Sequence, residues 1–165
     1  MLENGTIADG VLAQDETQAQ SLWSLRESLP EACGKLGKVY KYDLSMPVKD
    51  MYSLVEEGRE RFGGLLKDGL IKRVVGFGHI GDGNLHFNVV AGDWNKTVAD
   101  AIEPWVYEAT AQRNGSISAE HGLGQMKAPY LGYSKSDASI AIMRQIKTLF
   151  DPREILAPYK YLPGQ

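Results

Sequence analysis

The stretch Gly76-Phe77-Gly78-His79-Ile80-Gly81-Asp82-Gly83-Asn84-Leu85-His86-Phe87-Asn88-Val89-Val90 constrains this chain more than any other, because its pattern is that of a β-hairpin. Val74 and Val75 open a β-branched run. Beyond the glycines, Leu85, Phe87 and Val89 alternate with His86, Asn88 and Val90, the period of a strand. Asp82-Gly83 between the two runs is a strong two-residue turn signal. Taken as the loop, it pairs Gly81 with Asn84 and sets His79 directly across from His86. Opposed residues have Cβ atoms roughly 4.5–5.5 Å apart on one face, a spacing at which two imidazoles can grip one divalent ion.

The chain has three histidines, and the third, His121, lies in a second compact motif, Ser118-Ala119-Glu120-His121-Gly122-Leu123-Gly124. Two histidines plus a carboxylate leave a coordination position open, which is the pattern of a catalytic rather than a structural metal site. The plainer alternative is that the glycines serve a tight turn and the histidines are polar residues at a sheet end. Glu120 and His121 are neighbours, so in extended backbone they point opposite ways. Only one of them is then a ligand, unless a bend intervenes. Gly122 and Gly124 let backbone come close to a ligand, but Gly-Leu-Gly lacks the longer glycine fingerprints of a phosphate-binding loop.

A chain of 165 residues, 43% hydrophobic and 24% charged, is expected to form one domain with its own core. Its net charge of −3 offers no attraction to nucleic acid or an anionic membrane. No apolar run approaches the ~20 residues that span a bilayer, and the first residues have neither signal-peptide nor transit-peptide character. Cys33 is the single cysteine, which rules out an internal disulfide and fits a reducing compartment.

Along the chain, Asp15 to Leu29 reads as one amphipathic helix, with Ala19, Leu22, Trp23, Leu25 and Leu29 at helical spacing and a stop near Pro30. Arg26 falls in its last turn. Lys38–Leu44 reads as a strand with Val39, Lys41 and Asp43 on one face and Tyr40, Tyr42 and Leu44 on the other. Pro47 opens a helix whose stripe is Met51, Leu54, Val55 and Phe62, and Gly63-Gly64 and Lys67-Asp68-Gly69 mark a loop before the hairpin. A helix after Asp93–Asn95 must kink or restart at Pro104 and ends at Asn114-Gly115. Ser116–Ser118 is a brief strand. A last helix spans Asp137–Phe150, burying Ile140, Met143, Ile146 or the stem of Lys147, and Phe150, before an irregular tail. Helix, strand, helix, hairpin, helix, strand, helix predicts an α+β layer with helices on one side of a largely antiparallel sheet.

Gly-His-Ile-Gly-Asp-Gly-Asn-Leu-His-Phe-Asn, followed by Ser-Ala-Glu-His-Gly-Leu-Gly and by Asp151-Pro152 to Pro158-Tyr159-Lys160, resembles the C-terminal region of FAD-linked D-2-hydroxy-acid dehydrogenases. The group includes D-2-hydroxyglutarate and D-lactate dehydrogenases, and the similarity runs from about Gly10 to Pro163. The resemblance implies a ferredoxin-like cap and a single domain over residues 1–165. It also implies that the FAD-binding domain lies outside this sequence, with Met1 inside a longer enzyme. A divalent ion, Zn²⁺ by the same likeness, would be held by His79, His86 and Glu120, with His121 as general base. Asn88 would orient a small 2-hydroxy acid, and Arg26 and Lys41 would neutralise its carboxylates. Pro30 and Ala157 depart from the family, which often has a hydroxyl residue near the first position and asparagine at the second.

The resemblance places the protein in the mitochondrion or cytoplasm and leaves a homo-oligomer open. It also raises an actin-binding module as a second class, since some relatives carry an actin-interacting name. A zinc hydrolase is a third, although the chain has no His-Glu-x-x-His helix.

Overall fold

The structure, a computed structural model, describes Gly5 and residues 8–164. It divides into two compact units, residues 1–35 and 36–165. The first unit carries α1 (Glu16–Glu27), capped by the Asp15 side chain accepting from the Gln18 N–H. This helix ends two residues earlier than its apolar spacing suggests and buries no residue. Pro30 starts rather than stops a helix: α2 (Leu29–Leu36) holds it in the first turn, where a missing N–H costs nothing.

In the second unit, β1 (Lys38–Ser45) leads to α3 (Val48–Arg61), the short α4 (Gly63–Lys67), β2 (Ile71–His79) and β3 (Asn84–Ala91). The three strands form one antiparallel sheet in the order β1-β3-β2. The α+β architecture expected from the sequence is therefore present. The loop expected at Gly63-Gly64 is instead helical, since Leu65 and Leu66 pack against the core and hold that segment in a turn of helix.

One face of the sheet carries Tyr42, Leu44, Leu85, Phe87 and Val89 into the core, as the alternation requires. Helix α3 supplies Leu54 and Val55 to the same core. Gly58 is needed there, because a Cβ would come 2.8 Å from the Phe87 ring. Asn95 caps α5 (Lys96–Ile102), and the chain restarts after Pro104 as α6 (Trp105–Gln112), the break the proline demands. Trp105 then stacks edge-on against Phe62 and Phe87, with centroids 5.3 and 6.1 Å apart.

Behind β1 lies a polar knot. Glu103 accepts from the hydroxyls of Tyr42 at 2.7 Å and Tyr107 at 3.1 Å. Burial, and then the Glu103 charge, push both phenols well above the usual tyrosine value. A 3₁₀ turn (Ala128–Tyr133) brings Tyr130 onto Tyr107, and α7 (Asp137–Phe150) closes the unit with the bounds its pattern predicts. Its buried face is narrower than expected: Ile140 is buried, Met143 and Lys147 are half-buried, and Ile146 and Phe150 are exposed.

Candidate metal and substrate site

The hairpin places its histidines by a different register from the one the turn signal suggests. Phe77 lies opposite His86, and His79 opposite Asn84, so the loop is the four residues Ile80 to Gly83 rather than Asp82-Gly83 alone. The Asp82 N–H donates to the His79 carbonyl, and the Asp82 carboxylate accepts from the Asn84 N–H at 3.1 Å. Gly83 has φ +74° and donates no side chain to a tight spot: its carbonyl accepts from the Met46 N–H, and a Cβ there would sit 2.5 Å from the Met46 oxygen. This tie to the β1–α3 connection selects the longer loop. The correction shifts pairing by two residues, and a two-residue shift keeps every side chain on its face. His79 and His86 remain neighbours, diagonal instead of opposed, with ring centroids 5.4 Å apart.

Glu120 meets both. Its Oε1 lies 3.7 Å from His79 Nε2 and its Oε2 lies 3.7 Å from His86 Nε2, with His121 Nε2 3.9 Å from the same Oε2. The bend that extended backbone lacks is supplied by Asp43. On β1, this residue stands directly across from His86. Its Oδ2 accepts from the N–H groups of Ala119, Glu120 and His121 at 3.1, 2.7 and 2.9 Å, and its Oδ1 from Asn84 Nδ2 at 2.7 Å. Three successive N–H groups aimed at one oxygen curl the segment, and Gly122 continues the curl at φ +69°. Glu120 and His121 thereby both come to the hairpin, the His86 and His121 rings standing 5.7 Å apart.

Burial by itself raises the Asp43 carboxyl, but the His121 and Glu120 N–H groups and the Asn84 amide outweigh it, so it lies below the usual carboxylate value. For His86, burial is the largest influence and favours the neutral ring. The charges of His79 and His121 act the same way, against the pull of Asp43 and Glu120, and its pKa lies below the ordinary value. The result is a neutral imidazole whose buried Nε2 has no hydrogen-bond partner among the described residues.

These donors fit a divalent ion. A gap of 3.7 Å is too long for a hydrogen bond and close to the roughly 3.4 Å that separates two donors sharing one tetrahedral ion with bonds near 2.1 Å. One donor atom each from Asp43, His86, Glu120 and His121 lies within 4.8 Å of the others. Asp43 was not singled out as a site residue by its sequence context. The available signal was alternation, which puts it on the Lys41 face of β1.

Lys41 is exposed on that face, directly opposite Asn88. Asn88 is buried two residues along from His86 and donates to the His86 carbonyl at 2.9 Å. Lys41, Asn88, His86 and Asp43 therefore form one polar block of the sheet. Arg26 belongs to the first unit, where it pairs with Glu27 at 2.7 Å and lies over the Trp23 ring.

Residues 1–161 match the family described as FAD linked oxidases, C-terminal domain. The chain belongs to this family. It has relatives among named enzymes. It is 52% identical over 162 residues to a mitochondrial D-2-hydroxyglutarate dehydrogenase of Arabidopsis thaliana, covering 98% of this chain and 28% of that protein. It is 49% identical to the mitochondrial D-2-hydroxyglutarate dehydrogenase of Bos taurus, covering 99% and 29%. It is 43% identical to a D-2-hydroxyglutarate:pyruvate transhydrogenase of Saccharomyces cerevisiae, covering 94% and 32%. The chain thus spans about a third or less of the length of these relatives. Among the described residues, no helix of this FAD linked oxidase C-terminal domain is long and apolar enough to cross a membrane.

Proposed function

We propose that this domain is the metal- and substrate-binding portion of an FAD-dependent dehydrogenase that oxidises a D-2-hydroxy acid, D-2-hydroxyglutarate or D-lactate, to the 2-oxo acid. The observation that carries the reading is the Glu120 carboxylate standing 3.7 Å from both hairpin imidazoles, beside the unpartnered buried Nε2 of His86. The names of the relatives supply the substrate class, and those of the plant and bovine enzymes favour the mitochondrion over the cytoplasm.

In this reading His79, His86 and Glu120 would hold a divalent ion, with Zn²⁺ the first choice for a two-imidazole, one-carboxylate set. Bound there, the ion would supply a positive charge that eases loss of the substrate hydroxyl's proton. His121, whose side chain is 68% exposed beside Glu120, takes the hydroxyl proton on its ring nitrogen. Lys41, exposed on the same sheet face, offers a cation to a substrate carboxylate, and Arg26, in the first unit, is a separate candidate for carboxylate binding. Asn88 orients the substrate from the His86 side, its amide already fixed by the His86 carbonyl. FAD, when bound in such an enzyme, would supply the hydride acceptor that this oxidation needs.

Metal analysis together with dye-coupled turnover of D-2-hydroxyglutarate and D-lactate tests the proposal in the protein that carries this domain. His86→Ala is expected to remove most of the bound metal and to lower turnover by more than about 100-fold, beyond the usual effect of losing an outer partner. Equal metal content in wild type and the His79→Ala/His86→Ala double variant, after matched purification, would refute the metal assignment. Arg26→Ala and Lys41→Ala are expected to raise KM about tenfold or more, the scale of one lost charge-assisted contact, with near-normal melting. Unchanged kinetics with both acids removes those two residues from the substrate site.

A further inference from the structure

The segment that carries Glu120 and His121 is irregular from Ile117 to Lys127. We propose that Asp43 is a positioning residue: its carboxylate, with Lys127 at the far end of the segment, clamps residues 119–127 to β1 and so sets where Glu120 and His121 stand against the hairpin histidines. The inference deepens the metal reading above and rests on it for its second readout only.

Both oxygens of Asp43 are committed. Oδ2 accepts from three successive N–H groups, and Oδ1 from Asn84, whose amide also donates to the Leu44 carbonyl. Asp43 Oδ1 also lies 3.8 Å from His86 Nε2, but with both oxygens already accepting from N–H groups of the loop and of Asn84, we assign it the place of an acceptor holding the loop. Converging N–H groups need an acceptor with no hydrogen of its own, and a carboxylate offers that on both sides at once. At the other end, Lys127 Nζ donates to the Lys41 carbonyl at 3.1 Å and lies 4.8 Å above the Tyr42 ring, while its N–H donates to the Leu123 carbonyl. Three consecutive residues of β1 thus receive both ends of the loop: a carbonyl, a ring face and a carboxylate. Tyr42 is itself held by a hydrogen bond to Glu103.

Asn is the informative replacement at Asp43, because an amide accepts on one side only and must turn its NH₂ against either the loop N–H groups or Asn84. Hydrogen exchange of the Glu120 and His121 amides in the metal-free protein reads the clamp without reference to any ion. Co²⁺ affinity and absorption bands read its effect on the site. Asp43→Asn is expected to speed exchange at both amides at least tenfold and to weaken Co²⁺ binding at least tenfold. At saturation the band positions stay where they are in wild type, because the ligands are unchanged. Unchanged exchange overturns the proposal, as do shifted bands with unchanged exchange, which would make Asp43 a ligand. Should wild type bind no Co²⁺, the metal reading fails while the exchange result still decides the clamp. If Asp43→Asn does not fold, Lys127→Met decides: it keeps an unbranched stem over Tyr42, and it is expected to speed exchange at the Lys127 amide, with Lys127→Arg restoring protection. No difference between Lys127→Met and wild type overturns the proposal.

Discussion

Asn84 shows how tightly the polar side of this sheet is wired. It is 2% exposed, donates to both Asp43 and the Leu44 carbonyl, and leaves its own oxygen without a partner among the described residues. Asn84→Ala strips Asp43 of one of its acceptor contacts in a buried setting and is expected to cost about 1–3 kcal/mol, read as a lower denaturant midpoint at unchanged slope. A midpoint equal to wild type would mean that water replaces the amide. At this scale the sequence was informative where chemistry clusters locally. His79, His86 and His121, the chain's three histidines, stand out within two short motifs, and Glu120 adjoins the last of them. Asp43 did not, because its partners lie 76 to 78 residues ahead and nothing in the spelling of β1 reports a loop that far away. The same distance hid the bend that brings two adjacent side chains to one place.

Elements were legible in proportion to how far local rules decide them. Helix α7 has a Ser136 cap, a regular stripe and a proline stop, and its bounds match the expectation; α4 has two glycines and is helical only because of where its leucines pack. The hairpin falls between. Gly81-Asp82-Gly83 is compatible with a two- or a four-residue loop, and the choice is made by the contact of Gly83 with Met46. Gly83→Ala should therefore be far worse than an ordinary turn substitution. It adds about 1–2 kcal/mol of left-handed strain to a clash with backbone that cannot swing aside. A loss above about 2 kcal/mol in melting experiments is expected, with Gly81→Ala, whose Cβ meets nothing within 4 Å, as the mild control. Equal losses at the two positions would argue for the shorter loop.

At the largest scale, the core and the candidate site of the second unit share β1 and β3, one face each. Tyr42 and Tyr107 have phenols raised by burial and by Glu103. The folded chain keeps those protons at a pH where the unfolded chain releases them. The stability they contribute is complete below the ordinary tyrosine value near pH 10 and is lost as pH rises beyond it. Titration of the eight tyrosines by phenolate absorbance is expected to show exposed groups ionising first and the remainder only as the protein unfolds. A single smooth phase, with near-ultraviolet dichroism intact, would contradict the buried network.

The clamp also has a direction in time. In chain order β1, β2 and β3 all precede residue 119, and at about 5–20 residues per second their residues are made before the three N–H groups that the Asp43 carboxylate will hold. Until those residues follow, the carboxylate lacks these three partners. Only when residues 119–121 arrive does the charge find its partners, and the same event delivers Glu120 and His121 to the waiting histidines. The residues that close the loop onto Asp43 are the same ones that stand beside the histidines, so in the folded chain the two arrangements come together.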